Sequence, residues 1–192
     1  WISILRVSFS LNSVTIFRAR KPWSFYGPGT SIANNRKRMD WMKKHAICLR
    51  PRRSRFVDIF RTNPPKTVCP NFYVLAHANG CAFAPHCNYC YLKTSFRNRR
   101  GQYLFSNLKT MEKELRQWIR RPNLESYVIN SGNLSDSLSF EKVRPLHRRL
   151  IELFRREAEA KGRPHTLLLV TKGGLKECRF LFRLKPCRNV IV

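Results

Sequence analysis

From residue 71 onward, short apolar runs alternate with longer amphipathic stretches, and that order admits few folds. "NFYVLAH" (71–77) reads as a short buried strand bounded by Pro70 and Gly80. In "SNLKTMEKELRQWIRR", Leu108, Met111, Leu115, Trp118 and Ile119 fall on one face at helical spacing. Ser106 or Asn107 can cap that helix and Pro122 stops it. "SYVIN" (126–130) is the next strand and ends in the polar turn "SGNLSD". A second helix runs through "SFEKVRPLHRRLIELFRREAEAKG", with Phe140, Val143, Leu146, Leu150, Phe154 and Ala158 as its apolar stripe. Pro145 is compatible only with its first turn, and Gly162 suits the position after its end. "HTLLLVT" (165–171) is a continuous apolar strand of the kind buried on both faces. "GGLKECRFLFRLKP" predicts a shorter third helix, and "NVIV" opens a fourth strand.

Strands that alternate with helices predict an α/β fold with a parallel sheet, here roughly three and a half βα units. So few units cannot close a barrel. The expected fold is therefore a partial (β/α) barrel, cut in mid-domain, over residues 51–192. Residues 1–50 show no sustained period and are expected to be a basic, poorly organised segment, disordered or not native coding. The chain opens on Trp1, with Met39 and Met42 as candidate starts.

The formal net charge of +27 is unevenly spread. Residues 1–111 hold two acids, Asp40 and Asp58, against 20 Lys and Arg; residues 112–192 hold nine acids against 18. Such a surplus suits a polyanion such as nucleic acid; a basic tail is the plainer account. The apolar start "WISILRVSFSLNSVTIF" is interrupted by Arg6 and lacks a small-residue cleavage site, so no secretory signal is read there. No run approaches the ~20 apolar residues of a membrane span. Seven cysteines without a secretory context point to a reducing cytoplasm, where clustered cysteines signal metal binding or catalysis.

Three of those cysteines, Cys81, Cys87 and Cys90, lie in "GCAFAPHCNYCYLK" directly after the first strand. Their C-x5-C-x2-C spacing suits thiolate ligation. A structural zinc would need a fourth ligand, for which Cys69, His77 and His86 are candidates. An iron–sulfur cluster held by three thiolates would leave one iron open. Spacing alone leaves both open. The first three strands each lead into a polar loop: the cysteine loop, "SGNLSD" and "TKGG". In a parallel sheet these loops share the carboxyl-end rim, where ligands bind. His147, beside Arg148 and Arg149, is expected at a solvated helix surface, and His77 in a structural hydrogen bond.

"GCAFAPHCNYCYLK", with Tyr89 before the third cysteine, resembles the cluster loop of radical S-adenosylmethionine enzymes. "TVCPNFYVLAHANGC", "NSGNLSDSLSFE" and "LLLVTKGG" resemble the spore photoproduct lyase-like branch of that superfamily. The likeness covers residues 55–192. It implies a barrel of the radical S-adenosylmethionine type, a lyase-like activity and an external electron donor. Cys81, Cys87 and Cys90 would hold a [4Fe-4S] cluster whose open iron binds S-adenosylmethionine. Reductive cleavage of that cofactor would give a 5′-deoxyadenosyl radical that abstracts hydrogen from substrate, a nucleic-acid-related one among the candidates.

The resemblance further implies that Tyr89 packs near the adenine, that Gly132 and Asn133 meet the methionine amine, and that Ser135 and Asp136 lie near the ribose. Lys172 would meet the methionine carboxylate. Each has a plainer role: Tyr89 as a packed aromatic, Asp136 as a helix cap, Lys172 as a solvated lysine. The pattern departs from the family at two points. The first cysteine gap holds five residues where the family has three, and Asn133 stands where a cysteine returns hydrogen to the thymine radical. Asparagine has no weak S–H bond, so the implied substrate and final hydrogen donor differ. The rival function is a zinc-stabilised, basic nucleic-acid-binding module without enzymatic activity.

Overall fold

The computed structural model describes residues 40, 47–61, 71–83, 87, 90 and 102–192. The expectations for most of residues 1–50, and for Cys69, His86 and Tyr89, lie outside the described residues.

Among the described residues, eight strands form two sheets: β1 (Ile47–Arg50), β2 (Val57–Phe60), β3 (Phe72–Leu75), β4 (Ala78–Asn79), β5 (Gln102–Phe105), β6 (Val128–Asn130), β7 (Thr166–Leu168) and β8 (Val190–Ile191). The larger sheet has the order β2-β3-β6-β7-β8. Its pairs β3–β6, β6–β7 and β7–β8 are parallel, as the alternation of strands and helices requires. The four strands expected from the sequence are those four.

Two features depart from a simple run of parallel units. β2 adds an antiparallel edge beside β3, pairing Val57 with Leu75 and Phe60 with Phe72. It is not among the strands expected from the sequence. The short run "VDIF" pairs at the edge and its Phe60 ring stacks on Phe72, centroids 5.2 Å apart. A second sheet, β1-β5-β4, stands beside the first, with β1 parallel and β4 antiparallel to β5. The result is a mixed α/β fold.

Helix α1 (Leu108–Arg120) buries Met111, Leu115, Trp118 and Ile119, the face that the helical spacing predicted. Helix α2 (Leu146–Phe154) starts later than its apolar stripe suggests. Residues 137–143 form turns, and Pro145 sits just before the first helical residue with φ −70°. Proline has no N–H to lose and a φ already fixed near the helical value, which suits an entry position and not an interior one. The carboxylate of Glu141 reaches forward to accept the His147 N–H at 3.1 Å, supplying the negative charge that a helix N-terminus favours. A π-helical turn (Arg155–Glu159) continues α2. Two short helical segments follow, α3 (Leu175–Cys178) and a 3-10 turn (Leu181–Arg183), where one helix was expected.

The main core lies between the larger sheet and these helices. Leu75, Ile129 and Leu167 come from the sheet, Trp118 and Leu115 from α1, and Leu150 and Phe154 from α2. A smaller cluster of Ile47, Ala78, Leu104, Phe140 and Val143 packs the second sheet against the turn before α2. Arg144 holds the end of the β4–β5 ladder, where the Phe105 N–H also donates to the His77 carbonyl. Buried, it donates from Nη2 to the His77 carbonyl (2.8 Å) and from Nη1 to the Phe105 carbonyl (2.5 Å). Among the described residues, no helix is long and apolar enough to cross a membrane.

Candidate cofactor site at the carboxyl ends of the parallel strands

The chain leaves β3 through His77 and β4 and turns at Gly80, whose φ is +110°. A Cβ there would lie 3.1 Å from the Gln102 side chain, so both conformation and space select glycine. Cys81 follows and is buried. Burial pushes its thiol pKa up, while hydrogen bonds with the Asp136 and Phe83 backbone and the Ser139 hydroxyl work against that shift. The first cysteine therefore lies against the loop that follows β6. Cys87 and Cys90 are half-buried, and none of the three is in a disulfide.

The loops after β6 and β7 are stitched together. Ser137 and Val170 exchange hydrogen bonds: the Ser137 N–H donates to the Val170 carbonyl (3.1 Å), and the Val170 N–H donates to Ser137 Oγ (3.0 Å). Ser131 Oγ and Ser137 Oγ lie 2.8 Å apart in the buried interior of this seam. Gly132 sits where the two loops touch, since a Cβ on it would fall 2.6 Å from the Val170 carbonyl oxygen. Its own N–H donates to Asn130 Oδ1 at 2.6 Å.

Asp136 is the hub of the seam. Its Oδ1 accepts the Leu138 N–H (2.9 Å) and the Thr171 hydroxyl (2.8 Å), and its Oδ2 accepts the Lys172 N–H (2.6 Å). The capping role weighed for it is thus realised on the turn at 137–139, well before α2 begins. Held this way, the backbone of Lys172 directs its side chain toward the cysteine loop. Lys172 Nζ lies 3.2 Å from Cys87 Sγ. Its pKa is raised, first by that hydrogen bond and by the Cys87 charge, with further contributions from Cys90 and Asp136.

Of the expected site residues, Cys81, Cys87, Gly132, Asp136 and Lys172 thus meet across one rim, while Cys90 is half-buried on the same loop. Ser135 is buried and turns inward, its hydroxyl meeting the Asp136 carbonyl (3.2 Å) and Ser139 Oγ (3.3 Å). Asn133 is half-buried in the same loop, and Tyr89 lies outside the described residues. Among the described residues, no group of three or more His, Cys, Asp or Glu side chains is gathered as metal ligands. The donor chemistry nevertheless fits a thiolate-held cluster: three cysteines outside any disulfide, one beside a lysine cation, on a loop facing two other strand ends.

His147 corrects an expectation. Far from solvent, it is 1% exposed, with Nδ1 2.9 Å from Glu141 Oε2 and its ring edge-on to His77 at 5.1 Å. The late start of α2 turns its first residues under the 137–143 turn, so a position read as surface faces inward. Burial holds His77 well below the ordinary histidine pKa, with the His147 and Arg144 charges acting in the same direction. Sequence reasoning also missed Ser137 and Ser139. The signal was present: serines at 131, 135, 137 and 139 recur at even spacing in a segment with no strand character, a pattern suited to buried hydroxyl pairs.

No protein-family model and no curated protein matches the chain. Among solved structures, a cysteine-to-alanine variant of spore photoproduct lyase with dinucleoside spore photoproduct aligns at TM-score 0.55 and 19% identity, over 86% of this chain and 43% of that one. A tyrosine-to-phenylalanine variant aligns at TM-score 0.48 and 21% identity, over 76% and 38%. A double variant with bound AdoMet and dinucleoside spore photoproduct aligns at 0.46 and 20%, over 75% and 37%. The chain spans less than half the length of each. The first of these alignments carries the conclusion, which concerns architecture: the fold of this chain is similar to that of spore photoproduct lyase, a radical S-adenosylmethionine enzyme.

Proposed function

We propose that this chain carries the cofactor-binding part of a lyase-like radical S-adenosylmethionine enzyme. Cys81, Cys87 and Cys90 are its cluster ligands, and Tyr89, Gly132, Asn133, Ser135, Asp136 and Lys172 its S-adenosylmethionine contacts. The observation that carries this reading is the convergence of three strand-end loops, fixed by Asp136 and closed by Lys172 on Cys87. A reduced [4Fe-4S] cluster held by the three thiolates would supply the electron that cleaves S-adenosylmethionine to a hydrogen-abstracting 5′-deoxyadenosyl radical.

The chain's own groups have separate tasks. Lys172 places an ammonium where a carboxylate ligand can pair with it, a charge-assisted contact. Asp136 acts through Lys172 and Thr171 by holding their backbone and hydroxyl, and is a positioning residue. Gly132 lets the loop after β6 approach β7 closely enough to leave its backbone open toward the rim. The buried serine seam keeps water from beneath the site without leaving hydroxyls unpaired. The substrate class we favour is nucleic-acid-related, supported by the basic charge of the chain.

Anaerobic reconstitution with iron and sulfide tests the ligand set. The expected result is a brown protein whose visible absorbance is lost on Cys81→Ala, Cys87→Ala or Cys90→Ala. A colourless protein holding stoichiometric zinc would support the rival zinc module instead.

A further inference from the structure

The sequence "LRPRRSR" places four arginines in six positions, 50, 52, 53 and 55, between β1 and β2. A basic run of this kind is usually a solvated, mobile stretch. Here it is held. The Asn107 side chain clamps the Arg52 backbone on both sides, its Oδ1 accepting the Arg52 N–H (2.9 Å) and its Nδ2 donating to the Arg52 carbonyl (3.0 Å). Arg52 Nε donates to the Arg55 carbonyl at 2.8 Å, closing the turn on itself. The Arg52 guanidinium also lies 5.0 Å from the Phe105 ring centroid, which fixes it as the anchor of the segment. Glu114 then takes the Phe56 and Val57 N–H groups at 2.6 and 3.2 Å and leads the chain into β2.

With Arg52 used as the anchor, Arg50, Arg53 and Arg55 are exposed. Among the described residues, none of the four is ion-paired to a carboxylate. Arg50 stacks over the half-buried Tyr103 ring of the neighbouring strand, 3.8 Å from its centroid. Three unneutralised guanidinium groups on a fixed backbone, beside an arginine–aromatic stack, match the repeating phosphates and π-faces of a polynucleotide strand. The Ala76 N–H donates to the Phe56 carbonyl at 2.9 Å. The segment therefore joins the larger sheet at the carboxyl end of β3, the end from which the cysteine loop departs.

We infer that residues 50–55 and Tyr103 form a single-stranded nucleic-acid-binding surface, with Arg50, Arg53 and Arg55 taking phosphates and the Arg50–Tyr103 stack taking a base. It needs neither cluster nor S-adenosylmethionine, so it stands or falls separately from the proposed chemistry.

The test is fluorescence anisotropy of the full chain with a labelled oligodeoxythymidylate across a salt series. Replacing Arg50, Arg53 and Arg55 together by Gln should weaken binding about ten-fold or more and make the log Kd against log salt slope shallower by roughly 2, since each phosphate contact contributes about 0.7 on single strands. A control with the same charge change, Lys142, Arg148 and Arg156 to Gln, should change Kd less than about three-fold. Tyr103→Leu should weaken binding with the salt slope unchanged. Equal losses in the two triple variants would overturn the inference, because net charge alone would then explain binding. So would arginine-dependent binding to phosphatidylserine vesicles with none to the oligonucleotide.

Discussion

Lys172 Nζ lies 3.2 Å from Cys87 Sγ across 85 residues of sequence. Nothing local brings them together. The contact exists because Asp136 fixes the Lys172 backbone and because β3, β6 and β7 are parallel neighbours, so that all three strands end on the same side. A lysine placed there offers a cation to an anionic ligand.

Lys172→Met should therefore weaken S-adenosylmethionine binding to the reconstituted protein by roughly ten-fold, the loss of one charge-assisted hydrogen bond. Iron content should be preserved. Equilibrium dialysis with labelled S-adenosylmethionine reads the first and colorimetric iron assay the second; unchanged affinity would remove Lys172 from the site.

Gly132→Ala should destabilise the fold. The added Cβ would meet the Val170 carbonyl oxygen at 2.6 Å and Val170 Cβ at 2.7 Å, so backbone must move. Overpacking of this kind costs ~1–3 kcal/mol. A lower urea midpoint with unchanged m-value is the expected result.

Arg144→Met should cost ~1–3 kcal/mol, because it removes the buried donors that satisfy the Phe105 and His77 carbonyls at the end of the β4–β5 ladder. Thermal unfolding followed by circular dichroism measures it. A shift within the few tenths of a kcal/mol usual for surface changes would mean the end of the β4–β5 ladder holds without this contact.

Acid should weaken the fold early. His77 and His165 both have pKa values lowered by burial. The folded state takes up protons on these rings only at lower pH, while the unfolded chain takes them up below about 6.5. Their contribution is complete above that pH and is lost as pH falls below it, by up to ~1.4 kcal/mol per pH unit for each ring. The Tm should therefore drop between pH 7 and 5.5, before most carboxylates titrate, and His77→Phe should flatten that slope.

The parallel strands of the larger sheet were legible because each is a continuous apolar run, and α1 because its five apolar residues keep one helical face. β2 and β5 were not. "VDIF" and "QYLF" are four residues each, too short for a period to register, and their pairing depends on partners elsewhere in the chain. The start of α2 was misread because Phe140 and Val143 continue its spacing while belonging to the core beneath the second sheet. At the candidate site, the strand-end rule anticipated that the loops after β6 and β7 meet and that Lys172 reaches the cysteine loop. The serine seam and the reach of Asp136 to Thr171 and Lys172 required the folded chain, since they join residues more than 30 positions apart.

The central claim is tested most directly by incubating the anaerobically reconstituted, dithionite-reduced chain with S-adenosylmethionine and measuring 5′-deoxyadenosine by chromatography. The account predicts formation of 5′-deoxyadenosine that depends on the reductant and is abolished by Cys87→Ala. A fully iron-loaded, reduced protein that leaves S-adenosylmethionine intact, or a product level unaffected by Cys87→Ala, would contradict it.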